Sequence, residues 1–527
     1  MPALVTDQFR ILNASNFIES IDNSSNSYYV WVGLSNPDIN NGIGRDENWD
    51  DGNTTGSPIV PNPVDSFDYT NHYKDTLLFG KKITTSNARR VVRRIDWIRG
   101  VKYDMYRQDY SIENPSPISR RYRLYDSSYY VLNSEYKLYI CIENGSSGIS
   151  SASLTGNQSQ FEPTFTDLEP SIAGTGEDGY VWKYLFTVSP SDIVKFDSID
   201  YITLPNNWET STDSQIVSVR ENGDSRINEN QIKTIYIKNP GKNYNSGTVN
   251  ILGDGTGGQV FVSVNSTGEI IDTTVTSGGK GYTYGIVDLG PLRPAGDPPF
   301  PAELIPIIPP SYGHGYDLYR ELGADKVLVY TRFDDSSRDF PLNAKFCQVG
   351  LLKNPTTFTS SGIYSGSQFS NLYAIKVNPS VENTSPTVGN KISQSVPGIG
   401  TAVGYVASYD SDTKVLKYYK DRSLYFNPST IDQTDYDDVT TKGNANITFS
   451  ASETLSVVGG FNCTVQNFTG ITTTVNNSII NLGVSFTNGF ANPEINNKTG
   501  DILYVDNRPL ITRNIRQKED IKIILEF

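Results

Sequence analysis

Two adjacent carboxylates beside a dense aromatic run are the residues of this sequence best placed to do chemistry. Glu177 and Asp178 lie in GTGEDGYVWKYLFTV (residues 174–188), just before Tyr180, Trp182, Tyr184 and Phe186. Sugar-cleaving sites need two carboxyl groups about 5 to 9.5 Å apart across a cleft. Neighbouring side chains in an extended chain point to opposite sides, so these two acids cannot easily face one sugar. We therefore favour a glycine turn that leads into a strand, with Glu177 and Asp178 shaping the turn or binding the backbone of a neighbouring segment.

Histidine and cysteine are too scarce for the usual catalytic triads and zinc sites. Histidine occurs only at positions 72 and 314, and Cys141, Cys347 and Cys463 lie far apart in the sequence. No His-Glu-x-x-His, Cys-x-x-Cys or Gly-x-Ser-x-Gly motif occurs. His314 lies between two glycines, which favours a turn or interface role over catalysis. The residues thus predict no catalytic group, no metal ligand and no cofactor, and the odd cysteine count disfavours a disulfide scaffold.

Two further stretches match a binding motif only in part. GDGTGG (residues 253–258) has the glycine spacing of a dinucleotide-binding loop, but an alternating strand pattern follows it where a helix is required. We interpret it as a hairpin turn. RDENWDDG (residues 45–52) resembles a calcium loop, yet its glycine comes one position late and Ser57 stands where a bidentate acid is needed.

The densest positive charge lies in ARRVVRRIDWIRG (residues 88–100), which contains five arginines. One interpretation is a charged edge that the protein's own acids neutralise. The other is a docking patch for an acidic partner, because guanidinium groups pair bidentately with carboxylates and because Arg and Trp are enriched at interface hot spots. Both interpretations remain open from the sequence.

The composition predicts a mostly β protein whose elements must position these residues. Tyr, Phe and Thr suit half-buried strands, whereas Gly and Asn suit the turns between them. At 527 residues the chain is long enough for several domains. A net charge of −14 disfavours nucleic-acid binding. No signal peptide is expected at the N-terminus, and the absence of a long apolar run predicts no membrane insertion.

Local patterns predict particular elements. Strands are expected at residues 28–34, 135–142, 326–333 and 346–352, and an alternating strand at the C-terminus. Ser189 followed by Pro190 predicts a short capped helix, and Gly323 is expected to end another. A hairpin is predicted around residues 410–413.

A repeat follows a polar stretch at 209–230 that reads as a connector. IYIKNPGKNYNSG (residues 235–247) is echoed by TVTSGGKGYTYG (residues 274–285), so that Tyr244 and Tyr282 occupy matching positions. We expect a small duplicated β module whose two tyrosines are exposed. The proline-rich stretch that follows, residues 291–312, predicts a stiff linker packed along a surface, because so many prolines disfavour both sheet and helix.

Several collinear stretches together resemble one family, the baseplate wedge subunit encoded by gene eight of T-even-type contractile-tailed phages. In chain order these stretches are ALVTDQFRILNASNFIESI, YYVWVGLSNP, PVDS, RRIDW, GEDGYVWKYLF, FCQVGLLKNP and GDILYVDNRPLITRNIRQKEDIKIILEF. The resemblance implies a mostly β, multi-domain fold of short-stranded sandwiches or barrels with few short helices. It implies a core formed by residues 1–208, 313–355 and 496–527. It also implies that 209–290 and 356–495 are insertions, with 291–312 as the linker.

The resemblance further implies a structural, non-enzymatic subunit of the virion tail baseplate that assembles in the host cytoplasm. Such a subunit forms a homodimer and binds other baseplate wedge proteins. The candidate interface residues are Arg90, Arg93, Arg94, Trp97, Tyr180, Trp182, Asn507 and Arg508. The alternative is a glycan-binding or glycan-cleaving phage tail protein, which the aromatic residues and acidic loops would serve.

Overall fold

The computed structural model describes residues 6–34, 63, 67–294, 300–334, 345–382, 384–420, 447–512 and 517–527. The calcium-like stretch 45–52 and the His72 side chain lie outside the described residues. Strands account for 42% of the chain and helices for 12%, arranged in several sheets. The predicted mostly β, multi-domain class is therefore confirmed.

The strands are short and follow one another along the whole described chain. In chain order they are β1 Tyr28–Gly33, β2 Leu77–Ile83, β3 Ala88–Arg93, β4 Tyr130–Leu132, β5 Lys137–Asn144, β6 Ser171–Ile172, β7 Tyr180–Thr187, β8 Tyr201–Thr203, β9 Ile235–Asn239, β10 Gly247–Gly253, β11 Thr256–Val264, β12 Ile270–Lys280, β13 Gly285–Val287, β14 Glu303–Pro306, β15 Lys326–Phe333, β16 Lys345–Lys353, β17 Gln368–Ser370, β18 Tyr373–Pro379, β19 Lys391–Val396, β20 Gly400–Asp410, β21 Val415–Tyr419, β22 Thr454–Val457, β23 Phe461–Val465, β24 Gly470–Val475, β25 Ser478–Phe486, β26 Phe490–Ala491, β27 Asp501–Thr512 and β28 Glu519–Glu526.

The α-helices of the described residues are α1 Asp7–Asp22, α2 Phe67–Thr76, α3 Pro190–Phe196, α4 Ser214–Gly223 and α5 Leu318–Leu322. Helix α3 begins as predicted, because the Ser189 side chain accepts a hydrogen bond from the Asp192 backbone N–H. Helix α5 ends as predicted at Gly323, whose φ of 66° is left-handed.

Helix α4 differs from the sequence prediction, which placed a polar connector there, and helix α1 lies where no element was predicted. Helix α4 is capped by Asp213, whose side chain accepts hydrogen bonds from the backbone N–H groups of Gln215 and Ile216. In α1 the positions that repeat at helical spacing, Ile11, Ala14, Ile18 and Ile21, are buried. This spacing was the available sequence signal for that helix.

The chain divides into two compact units, each built from discontinuous pieces. Unit 1 comprises residues 1–18, 89–328 and 524–527, and unit 2 comprises 19–88 and 329–523.

The core of unit 1 is aromatic and surrounds the sheet in which the strands are ordered β4-β5-β7-β6. Strand β7 is antiparallel to β5, with Tyr180 opposite Asn144 and Trp182 opposite Cys141. Trp208 and the β4 tyrosine Tyr130 belong to the same cluster of buried side chains. Burial of such large aromatic surfaces supplies much of the driving force for folding.

A second core of unit 1 lies around the sheet ordered β12-β11-β10-β13. The predicted turn within GDGTGG is confirmed, because β10 ends at Gly253 and β11 begins at Thr256. The expectation that the two repeat tyrosines are exposed is wrong, since Tyr244 and Tyr282 are 5% and 3% exposed. The Tyr282 hydroxyl donates a hydrogen bond to the Ile251 carbonyl, which fixes the ring inside the module.

Part of the proline-rich stretch enters a sheet, which corrects the prediction that it would not. Strand β14 pairs antiparallel with β9, and Pro306 lies opposite Ile235. The pairing is possible because this sheet has two strands. Both strands are therefore edge strands, and a proline at the end of one removes no hydrogen bond of the ladder although it lacks an N–H donor.

In unit 2, one sheet has the strand order β17-β2-β1-β16-β27. Strand β1 pairs antiparallel with β16, with Trp31 opposite Gly350, and β16 pairs antiparallel with β27. The missing side chain at Gly350 matters, because a Cβ there would lie 2.4 Å from the Trp31 ring.

The second sheet of unit 2 closes into a six-stranded barrel through strands β18 to β23, with β21 pairing back to β18. The predicted hairpin at 410–413 joins β20 and β21. The Asp410 carboxylate holds this turn by accepting hydrogen bonds from the Asp412 backbone N–H and the Thr413 hydroxyl. Strands β24 and β25 form a separate two-stranded sheet.

Candidate docking surface

The aromatic residues predicted at an interface lie inside unit 1 instead. The side chains of Tyr180 and Trp182 are each 0% exposed. The Tyr180 hydroxyl donates a hydrogen bond to the Asn157 carbonyl and accepts one from the Tyr103 backbone N–H, both at 2.9 Å. The predicted interface role of these two aromatics is therefore wrong. They were misassigned because strand β7 is buried on both faces, which residue alternation alone does not reveal.

The two carboxylates beside them have separate environments. Asp178 is buried, and its carboxylate accepts hydrogen bonds from the backbone N–H groups of Gln160 at 2.8 Å and Tyr180 at 3.2 Å. Glu177 is exposed to solvent. Asp178 therefore shapes the turn, as predicted, and its oxygens are occupied by backbone donors.

His314 belongs to a buried polar cluster of unit 1. Its Nδ1 lies 2.5 Å from Glu321 Oε1, and the Gly315 backbone N–H donates to Glu321 Oε2 at 2.6 Å. Burial lowers the pKa of His314 below its usual value. Lys183, which is also fully buried, donates to the Leu168 carbonyl at 2.7 Å. The contacts of His314 are thus those of a core residue.

The arginines in strand β3 and directly after it divide between core and surface. Arg89 pairs with Asp192 at 3.0 Å, and Arg94 pairs with Asp96 and Asp197 at 2.9 Å each. For these two arginines the interpretation in which the protein's own acids neutralise the charge is confirmed.

Arg90 is 5% exposed and lies with its guanidinium carbon 4.0 Å from the centroid of the Tyr319 ring. Its side chain donates a hydrogen bond to the Asn206 carbonyl at 3.3 Å. A guanidinium held this way cannot reach a partner protein, so the predicted interface role of Arg90 is wrong. Alternation along β3 turns its side chain toward the core.

Arg93, by contrast, is exposed and points its guanidinium at backbone carbonyls. It donates to Ser127 at 2.9 Å and to Asp126 at 3.2 Å. Within the described part of the chain, no carboxylate lies within ion-pair distance of it.

Arg93 and Arg94 both line a solvent-open groove of about 690 Å³ in unit 1, called the arginine groove below. Its walls come from α1, β3, the 121–126 loop, the 199–201 segment, α5 and the last residues of β28. Its residues are Asp7, Arg10, Ile11, Val92, Arg93, Arg94, Arg121, Arg123, Tyr125, Asp126, Tyr130, Ile199, Asp200, Tyr201, Leu322, Gly323, Asp325, Lys326 and Glu526.

The other predicted interface residues lie elsewhere. Trp97 is half-buried and its Nε1 donates to the Ser159 hydroxyl at 3.0 Å. In unit 2, Asn507 is 7% exposed and accepts a hydrogen bond from Gln348 Nε2 at 3.0 Å, so its predicted interface role is wrong for the same reason of burial. Its neighbour Arg508 is exposed and pairs with Asp506 at 2.6 Å.

Sequence reasoning missed the second arginine run, SRRYRLYD (residues 119–126), which supplies Arg121 and Arg123 to the groove. The signal was the charge of that run. Its proximity to Arg93 depends on tertiary folding, because the two segments are separated by more than 20 positions in the sequence.

No family model and no curated protein matches the sequence. Over the residues with described structure, no grouping of three or more His, Cys, Asp or Glu side chains could hold a metal ion. Among the described helices, none combines the length and apolar character that crossing a membrane requires.

Proposed function

We propose that this chain is a structural subunit of a phage tail baseplate wedge. It acts by assembling with a second copy of itself and with other wedge proteins. Its chemistry is surface complementarity, and its place is the tail baseplate of the virion.

One observation carries the proposal beyond the resemblance of the sequence. Three of the resembling stretches, YYVWVGLSNP, FCQVGLLKNP and GDILYVDNRPL, are separated in the sequence by more than 300 and more than 140 residues, yet they contribute the adjacent strands β1, β16 and β27. Segments that are far apart in the sequence but pair as neighbouring strands are expected to form the structural framework that members of one family have in common. The arginine groove adds a charged concave surface of a kind suited to a protein partner.

The alternative is a glycan-binding or glycan-cleaving phage tail protein. One stretch that favoured it does not support it, because Tyr180 and Trp182 lie in the core, where they cannot stack on a sugar, and Asp178 is occupied by backbone donors. The acidic loops and the other aromatic residues leave it as the second proposal.

Co-expression with candidate wedge proteins, followed by size-exclusion chromatography with light scattering, tests the proposal. The expected result is co-elution with at least one of them and a dimer of the chain alone. A stable monomer that binds none of these proteins would overturn the proposal. Hydrolysis of host polysaccharide that Glu177→Gln abolishes would favour the glycan alternative instead.

A further inference from the structure

The arginine groove combines charged side chains with a few exposed apolar ones. Ile11, Val92, Tyr130 and Leu322 belong to its lining but are each at most 5% exposed, so they support the groove and offer almost no surface to a partner. Ile199, by contrast, is 89% exposed at its edge. A volume of about 690 Å³ lies within the range of about 300 to 1,000 Å³ that is usual for specific binding sites. The groove is therefore large enough for a few side chains of a partner.

Most of the groove's charges are compensated inside the protein. The groove is lined by six cations and five acids. Arg123 pairs with Asp7 and with Asp126. Lys326 pairs with Asp325 at 2.8 Å and with Glu526 at 3.2 Å. These pairs fix the walls and leave little net charge to attract a ligand.

The uncompensated cations of the groove are Arg93 and Arg121. Arg93 donates to two backbone carbonyls and also lies against the Tyr130 hydroxyl, and these neutral groups orient the guanidinium without neutralising it. Arg121 is exposed and forms no ion pair with any described residue. Asp200, also exposed, is the groove acid that has no ion pair with a described residue. In a chain of net charge −14, these two guanidinium groups are positive charges that the carboxylates of a partner can neutralise.

We propose that the arginine groove binds an extended segment of a partner protein in which carboxylate side chains alternate with apolar ones. The carboxylates pair with Arg93 and Arg121, since a guanidinium and a carboxylate form two parallel hydrogen bonds. The apolar side chains contact the exposed Ile199 and the half-buried rings of Tyr125 and Tyr201.

The charges of the groove favour such a segment over a nucleic acid. A phosphate backbone places a negative charge at every nucleotide, so some phosphates would fall beside Asp200, which has no ion pair within the described residues and would repel them. A peptide can place its few carboxylates at the two arginines and neutral side chains beside the acids.

Fluorescence anisotropy with the purified full-length chain tests the proposal. The probes are a short labelled peptide that alternates Glu with Leu, the matched Gln–Leu peptide, and a labelled single-stranded DNA oligonucleotide. The chain is expected to bind the Glu–Leu peptide, and Arg121→Glu is expected to weaken that binding about tenfold or more. Added salt should weaken the binding of the wild-type chain as well.

Arg99→Glu is the matched control, because it makes the same charge reversal at an exposed arginine that does not line the groove. Circular dichroism checks that each variant is folded. Arg93→Glu is the second groove variant. If it fails to fold, Arg93→Gln replaces it, because glutamine removes the charge while keeping N–H donors for the two carbonyls. The proposal is overturned by the absence of Glu–Leu binding, by equal binding of the Gln–Leu peptide, by tighter binding of DNA, or by an unchanged affinity of Arg121→Glu.

The identification of the partner as a wedge protein depends on the proposed function, and the two can fail separately. If the wild-type chain co-elutes with a wedge protein and Arg121→Glu does so equally, the groove proposal fails and the proposed function stands. If the wild-type chain binds no wedge protein yet binds the Glu–Leu peptide as described, the proposed function fails and the groove proposal stands.

Discussion

Tyr180 and Trp182 stack on each other in the core of unit 1, with ring centroids 5.3 Å apart and ring planes 14° apart. Tyr103 packs edge-on against Trp182, with a centroid distance of 5.9 Å. Tyr180 and Trp182, which are two positions apart on strand β7, thus contribute to the packing of the unit 1 core. This arrangement decides how substitutions in strand β7 should behave.

Replacing Trp182 with Ala should destabilise the fold by about 3 to 5 kcal/mol, because it leaves a large cavity in the aromatic core. Urea unfolding followed by circular dichroism measures the loss. Trp182→Phe is the control and should cost less, since the Trp182 Nε1 makes no hydrogen bond within the described structure. An unchanged unfolding free energy together with impaired assembly would return Trp182 to an interface role.

Reversing the charge of Arg90 should also destabilise the fold. A glutamate there would be buried against the Tyr319 ring without a cationic partner, at a cost of about 3 to 5 kcal/mol. Arg99→Glu, at an exposed position in the same arginine-rich stretch, should stay within about 0.5 kcal/mol of the wild type. Thermal unfolding of the two variants compares them. Equal melting temperatures would contradict the burial of Arg90.

The contribution of Lys183 to the stability of the protein should rise between about pH 8 and pH 10. Burial, with a further contribution from Lys233, lowers the pKa of Lys183 to about 8 from the ordinary 10.5. Above pH 8 the unfolded chain therefore holds a proton that the folded chain has released, so unfolding becomes less favourable as the pH rises. The stabilisation amounts to about 3 kcal/mol when complete and is lost as the pH falls through about 8.

Urea unfolding of the wild type and of Lys183→Met at several pH values measures this effect. The difference between the two isolates Lys183 from Lys420, whose pKa burial also lowers to about 8. The variant should show a flatter stability profile over this range. Parallel profiles would mean that Lys183 is not buried as a titrating amine.

Gly323→Ala should cost more stability than Gly100→Ala, although both glycines have left-handed φ values, of 66° and 82°. An alanine in this conformation costs roughly 1 to 2 kcal/mol by itself. At position 323 the new Cβ would also lie 2.4 Å from the Tyr125 ring, whereas no atom lies within 4 Å of it at position 100. The Tyr125 ring cannot move freely, because its hydroxyl donates to the Arg320 carbonyl at 2.6 Å. Urea midpoints compare the variants, and equal losses would contradict the clash.

Local signals in the sequence predicted local structure well. The Ser189 and Pro190 pair gave the start of α3, Gly323 gave the end of α5, and the polar residues at 410–413 gave the barrel hairpin. Each of these depends on a few neighbouring residues and on backbone geometry that they alone determine.

What depends on distant residues could not be predicted. Alternation in β7 shows two faces, but only the tertiary fold buries both of them, so Trp182 was assigned to an interface. Likewise, Tyr282 was expected to be exposed because it follows a glycine turn, but its hydroxyl donates a hydrogen bond to the carbonyl of the distant Ile251. The arginine groove joins Arg93 to Arg121 through the fold, and the sequence places them in separate runs.

The proposed assembly role is tested most directly by immunogold electron microscopy of phage particles whose genome encodes the chain, with an antibody raised against the purified protein. The account predicts that gold particles cluster at the baseplate end of the tail. Labelling confined to the capsid, or particles that remain unlabelled although the antibody recognises the chain in the same lysate, would contradict it.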